Sequence, residues 1–338
     1  MKNLFLVGGN RSNEDEPINT ILKIAKKKNY KIHLYTENIH LKKNCKNFEF
    51  RKFLKINKIK YKKINNINEE ILDIKKKIKS NKNNFMLLCN SIWKIDKNII
   101  SLFKNKIFNI HIGKFPYQIG AGGATWLRLV NAKLSSITIH AVNEEFDRGK
   151  ILVEHDFKLK KNFSLMDYYK TTRKNEIRAY NKLFSILSSP KKKIFKDNNE
   201  RSSIYMPRLN TKIHGYIDWS WNAKDIVNFI NAFSAPYEGA STFIKKKKYL
   251  LQNAKFKKNK INFHPFQSGI IFRKNKKSLS VAGIMGEIEI KQLCDSNGKK
   301  VKLESVKLGS RFYTPSNEID KSNMLTSLHT SKGILIKN

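Results

Sequence analysis

Cysteine is scarce: three residues in 338, at Cys45, Cys89 and Cys294. They lie far apart and form no Cys-x-x-Cys pair, so neither a disulfide framework nor a zinc site is expected, and a reduced, cytoplasmic compartment fits. Long apolar runs are missing as well. None approaches the ~20 residues that cross a bilayer. The opening MKNLFLVGGNRSNEDE holds too brief an apolar run for a signal peptide, and acidic residues follow it. Acidic side chains are few, 27 Asp and Glu against 68 Lys and Arg, which leaves a formal net charge of +41. Alone, that charge points to nucleic acid or another anionic surface. No single stripe carries it, however. Lysine is spread with asparagine and isoleucine through every loop, so a compositional bias over solvated faces is the preferred reading. There is also no complete Gly-x-Gly-x-x-Gly and no P-loop lysine. Gly8-Gly9 reads as a tight turn rather than a phosphate cradle.

What is present is length for two domains with real cores and a strand–helix alternation in the first half. Asn3 to Val7 is a short apolar strand, and Glu16 to Lys28 has helical periodicity. Lys31 to Tyr35 reads as a second strand, Phe48 to Lys55 and Glu69 to Lys79 as helices, and Phe85 to Leu88 as a buried parallel strand. Ile151 to Leu159 is a further strand. Ser164 to Ser188 is a long helix with Ser164 as N-cap, in which Asp167 and Glu176 read as solvated charges. The expected fold class is α/β, a doubly wound Rossmann-like domain.

The stretch from Phe108 to Leu152 organises the rest. A strand turns Asn109 and His111 to one face. A glycine-bearing loop follows, then a helix around Ala124 to Val130. A β-branched run, Ser136 to Val142, leads to an acidic turn with Asp147 and Gly149. Asn, His and Asp are thus presented at strand ends, where open α/β sheets place their chemistry. An amide can donate to a developing oxyanion. An imidazole can move a proton near neutral pH, and a carboxylate can set its tautomer and raise its pKa. Each residue alone has a plainer reading as a turn former or a satisfied side chain. The ordered set carries the assignment, and His140 and His155 receive no role, His140 being read as structural.

The ordered set Asn109, His111, Phe115-Pro116, Gly120, Asp147 and Gly149 resembles the 10-formyltetrahydrofolate-dependent formyltransferases. That family includes the methionyl-tRNA, amino-sugar and glycinamide ribonucleotide enzymes. The resemblance implies a formyl transfer with Asn109, His111 and Asp147 as catalytic residues and 10-formyltetrahydrofolate as co-substrate, with no metal. It also implies a folate pocket lined by Cys89, Asn90, Ile92, Phe115, Asn143 and Asp147.

The second half extends the resemblance. Ile217-Asp218-Trp219, Asn231-Ala232 and Pro236-Tyr237-Glu238-Gly239-Ala240 match, with small departures, the C-terminal block of the methionyl-tRNA and amino-sugar enzymes. A helix is expected over Ala223 to Ala232. Short β-type runs follow at 241–244, 248–254, 268–272, 279–284 and 287–293, which suggests a small OB-like β-barrel. The expected division is a catalytic domain over 1–195, a linker over 196–208 containing a structureless polar stretch after a basic turn at 189–193, and a C-terminal domain over 209–338.

The acceptor is less legible. Gly8-Gly9-Asn10 stands where methionyl-tRNA formyltransferases carry Gly-Thr-Pro. The Glu37 to Lys55 segment lacks their proline-bearing basic insertion, and Ile119-Gly120-Ala121-Gly122-Gly123-Ala124 lacks their loop arginine. These departures favour a nucleotide-linked amino sugar. Initiator methionyl-tRNA is the alternative, supported by the charge. Hydrolysis of the formyl donor and a non-catalytic RNA-binding role of the barrel are further readings. Oligomeric state is not legible.

Overall fold

Strands buried on both faces need a layer of structure on each side, and the first half of the chain is built that way. The computed structural model describes residues 2–10, 17–42, 44–45, 48–78, 84–121, 123–189, 194–198, 203–258 and 262–337. In order, the first half runs β1 (Lys2–Gly8), α1 (Pro17–Lys27), β2 (Tyr30–Thr36), α2 (Asn38–Leu41), β3 (Asn44–Cys45), β4 (Phe48–Glu49), α3 (Phe50–Ile56) and β5 (Tyr61–Lys63). It continues through α4 (Ile71–Ile78), β6 (Asn84–Cys89), α5 (Lys97–Leu102), β7 (Ile107–Ile112), β8 (Ile119–Gly120), α6 (Gly123–Leu129), β9 (Leu134–Ala141), β10 (Ile151–Lys158) and α7 (Leu165–Ser188). The main sheet has seven strands in the order β10-β9-β7-β6-β1-β2-β5. β5, β2, β1, β6 and β7 are parallel, and β9 and β10 close one edge antiparallel.

Alternation along β1 divides the core in two. Leu4 and Leu6 face the helix layer of α1 and α7, whereas Phe5 and Val7 face Ile74 of α4, Ile99 of α5 and Phe103 just after it. The N-terminus of α7 is closed by a capping box between Ser164 and Asp167, worth about 1 kcal/mol. Asp167 is therefore engaged in the cap rather than merely solvated. Glu176 is a second correction. It is 2% exposed, because it shares with Thr172, Ala179, Tyr180 and Leu183 the face of α7 turned to the sheet.

The second half contains α8 (Thr211–His214), α9 (Ala223–Ala232), β12 (Ala240–Ile244), β13 (Lys247–Lys257), β14 (Ile271–Lys274), β15 (Leu279–Gly283), β16 (Gly286–Asp295), β17 (Phe312–Tyr313), α10 (Ser316–Met324), β18 (Thr326–Thr330) and β19 (Gly333–Lys337). A six-stranded antiparallel sheet, ordered β14-β15-β16-β13-β12-β17, curls around Ile226 and Ile230 of α9 and forms a separate apolar core. Trp219 is held in it by stacking on Phe312 at 5.7 Å and by donating Nε1–H to Thr242 Oγ1 at 2.9 Å.

The halves are joined by more than the chain. Arg128 of α6 is 1% exposed and donates to Asn228 Oδ1 of α9 at 2.8 Å. The connecting stretch is also structured in part. Tyr205–Met206 forms β11, which pairs parallel with β8, and Lys196 bridges to Ile151. The basic turn at 190–193 and the polar residues 199–202 lie outside the described residues. No helix among the described residues is long and apolar enough to cross a membrane.

Candidate active site

Asn109 and His111 project from the same face of β7, and antiparallel pairing sets β9 beside them with His140 directly opposite Asn109. Beyond β9 the chain makes the turn that carries Asp147, which adopts a left-handed backbone with φ +57. Gly149 is fixed by sterics: a Cβ there would lie 1.7 Å from the Ala141 carbonyl oxygen. Only glycine lets the turn close back on the end of β9 and aim Asp147 at β7.

The Asp147 carboxylate is the hub, and the residue is 4% exposed. Its Oδ1 accepts from Asn109 Nδ2 at 2.9 Å and lies 3.2 Å from His140 Nε2. Its Oδ2 lies 3.3 Å from His111 Nδ1 and accepts from the Gly120 backbone N–H at 3.2 Å. Burial works against ionisation, but the charge and hydrogen bonds of His111, with His140, outweigh it and hold the carboxyl far below its ordinary value. The reverse holds for His111. Burial disfavours the imidazolium, yet Asp147 and the Gln118 carbonyl raise its pKa. The geometry agrees: Nδ1 faces a carboxylate, and Nε2 faces the Gln118 carbonyl oxygen at 2.6 Å. Neither partner can donate, so both ring nitrogens must. As placed, His111 is an imidazolium, a proton donor first and a base only after losing a proton.

His140, read as structural from the sequence, belongs to this cluster. Its Nδ1 donates to the Ala141 carbonyl at 2.9 Å. Its Nε2 lies 3.2 Å from both Asn109 Nδ2 and Asp147 Oδ1. Phe115 packs between the two imidazoles, 5.0 Å from each ring. It is 3% exposed and seals the cluster from below with Ile119 and Ile151.

The remaining residues expected to line a folate pocket lie on two loops. Cys89 ends β6 and is buried. Asn90 is left-handed and donates to the Gly9 carbonyl at 2.7 Å. Ile92 is half-buried and Trp93 belongs to the core. Asn143 is exposed, and its Oδ1 accepts from Glu145 N–H at 3.2 Å. Sequence reasoning missed the backbone groups of Gln118 and Gly120 and the ring of Tyr205, whose pKa is raised by burial and by the Asp147 charge. A separate cavity of about 430 Å³ lies between α6, α9 and α10, lined by Trp126, Tyr216, Trp221 and Phe229 among others, and shares no residue with the cluster. Among the described residues no group of three or more His, Cys, Asp or Glu is placed to hold a metal ion.

The Formyl transferase family model matches residues 1–183, and the Formyl transferase, C-terminal domain model matches residues 210–311. The chain belongs to the formyltransferase family of enzymes. Among relatives of this formyltransferase-family chain is the bifunctional polymyxin resistance protein ArnA of Wigglesworthia glossinidia brevipalpis, 24% identical over 227 residues, 63% of this chain and 34% of that protein. Another is the methionyl-tRNA formyltransferase of Prochlorococcus marinus (strain MIT 9515), 28% identical over 158 residues, 45% of this chain and 47% of that one. The matches thus span about a third and about half of these two relatives' lengths. In fold, the chain is similar to an N-formyltransferase from Helicobacter canadensis in complex with folinic acid and dTDP-3-aminofucose. The TM-score is 0.65 at 18% identity, over 89% of this chain and 100% of that one.

Proposed function

We propose that this chain is an N-formyltransferase that moves a formyl group from 10-formyltetrahydrofolate to the primary amine of a nucleotide-linked amino sugar. The observation that carries formyl transfer is the buried His111–Asp147 pair, with Asn109 beside it, in a chain of this family. The free amine adds to the formyl carbon, and the carbonyl π pair moves to oxygen. Asn109 N–H and the His111 imidazolium N–H donate to that oxyanion once they exchange their present acceptors for it. The C–N10 bond then breaks as the oxyanion collapses. In net terms one proton leaves the acceptor nitrogen and one reaches N10, relayed by the His111–Asp147 pair. Cys89, Asn90, Ile92, Phe115, Asn143 and Asp147 are assigned to the donor pocket. The division into 1–195, 196–208 and 209–338, an OB-like barrel for the six-stranded sheet, and a cytoplasmic location complete the reading.

The amino-sugar acceptor is supported by the tRNA-loop departures at Gly8-Gly9-Asn10 and Ile119 to Ala124, and by the similarity in fold to an enzyme solved with a dTDP-linked amino sugar. Initiator methionyl-tRNA is the second reading, favoured by the methionyl-tRNA formyltransferase relatives and the net charge of +41. Release of tetrahydrofolate is the test, run with a panel of nucleotide-linked amino sugars, with methionyl-tRNA, and with neither. Turnover requiring a sugar nucleotide is expected. Turnover requiring methionyl-tRNA overturns the acceptor assignment, and turnover with no acceptor marks a hydrolase.

A further inference from the structure

The last strands of the chain do not belong to the second half's sheet. β18 and β19 pair only with each other among the described residues, and they lie beyond the residues matched by the C-terminal family model, which end at 311. They cross back to the first half and are fastened there. Lys94 N–H donates to the Thr330 carbonyl at 3.0 Å. The Asn66 and Asn68 side-chain amides donate to the Ser331 carbonyl at 2.9 and 3.2 Å. A Cβ at Gly333 would lie 3.7 Å from Ile92 Cδ1. At the other side the His329 ring stacks on Phe146 at 4.7 Å with 22° between planes.

These contacts have a common geometry. One set engages the loop that follows β6, through Ile92 and Lys94. The other engages the turn that carries Asp147, through Phe146. Those are the two loops to which the donor pocket is assigned, so the hairpin bridges its mouth. His329 is the polar residue at the bridge. Its Nδ1 is buried without a hydrogen-bond partner, a state that costs free energy unless something pairs with it. The ring is also close enough to the cluster to feel its field: burial and the Arg208 charge lower its pKa, and Asp147 opposes them.

We propose that the hairpin Thr326–Lys337 is the outer wall of the donor pocket, and that His329 gives its unpaired Nδ1 to a hydrogen bond with the bound formyl-folate. The inference rests on the donor assignment made above and not on the identity of the acceptor. A wall that carries an imidazole stacked on Phe146 suits a flat heterocycle hydrogen-bonded at its edge, because the ring pair holds the imidazole at a fixed angle for that contact.

The experiment measures binding of 5-formyltetrahydrofolate, a non-transferring analogue, by calorimetry with no acceptor present. His329→Ala is expected to weaken binding about tenfold, the size of one lost hydrogen bond at a preorganised site. His329→Asn, which keeps a polar atom near the Nδ1 position, is expected to restore most of the affinity. In turnover the loss is expected to fall on KM for the donor more than on kcat. Removal of residues 326–338 is expected to weaken binding further, with thermal unfolding as the check that the chain still folds. If the truncated chain does not fold, the two His329 variants decide. Unchanged affinity in His329→Ala overturns the proposal, and so does tighter binding, which would make the hairpin an obstruction. A parent protein with no affinity for the folate would instead sink the donor assignment itself.

Discussion

Two buried carboxylates, one in each half, are treated in opposite ways. Asp147 is 4% exposed and Glu287 is 5% exposed, so burial alone does not separate them. Their partners do. Asp147 is held from inside by an amide, two imidazoles and a backbone N–H. Glu287, on β16, is met from the solvent side by Arg273 at 3.2 Å and by Lys257 at 4.0 Å, and the Arg273 side chain is 61% exposed. A permanent cation reaching in from water neutralises a carboxylate and brings no exchangeable acid–base partner with it. Histidine partners sealed with the carboxylate leave a proton that can move. The first arrangement ties β14, β16 and β13 together across the sheet, and the second is suited to chemistry.

The largest effect should come from breaking this contrast at its centre. Asp147→Asn keeps the shape of the hub and removes its charge, so kcat/KM should fall about 10³-fold to 10⁴-fold. Glu287→Gln, the same change in the other half, should leave turnover within about twofold. Tetrahydrofolate release under identical conditions measures both. A comparable loss in the two variants would erase the distinction drawn here.

A second pair of variants tests whether the joint between the halves behaves as a buried charge. Burial lowers the pKa of Arg128 to about 10, and Asn228 accepts from its guanidinium. Asn228→Ala leaves that cation buried without this partner and should cost about 3–5 kcal/mol, read from urea unfolding. Arg128→Met replaces charge with apolar volume and should cost about 1 kcal/mol or less.

The pH dependence of stability sharpens the comparison further. Asp147 has a depressed pKa, so its contribution is present above the unfolded value of about 4 and is lost as pH falls through the folded one. His111 has a raised pKa, so its contribution is complete below about 6.5 and is lost as pH rises through the folded value. The pair should therefore stabilise most between about pH 4 and about 6.5. Chemical unfolding of the parent and of Asp147→Asn across pH should show a difference that is widest in that window. The smallest effect belongs to the surface pair: Lys257→Ala should change stability by less than about 1 kcal/mol, and by less still at high salt.

Much of the first half was legible because its signals are periodic. Continuous apolar runs marked β1 and β6, a polar–apolar alternation marked β7, and Ser164 as N-cap marked the start of α7. The set Asn109, His111 and Asp147 could be named from order alone, and the fold places all three within hydrogen-bonding reach. His140 could not be named, because it joins the cluster only through strand register, and register is set by pairing that no single segment reveals. Gln118 and Gly120 act through backbone groups, which residue identity does not report. Glu176 was misread because one charged residue on an otherwise mixed helix face carries no sign of which way that face turns. The polar stretch before Tyr205 gave no warning of β11, since two residues are too few for any periodicity to show.

That short strand has a consequence for how such a chain can change over generations. β11 joins the two halves, yet it pairs with β8, whose Gly120 N–H touches Asp147. A crossover before Tyr205 that exchanged the rest of the chain for that of another gene would carry a foreign segment into this ladder, one residue from the hub. The junction is therefore a poor place for recombination, and the two halves are expected to be inherited as a single unit.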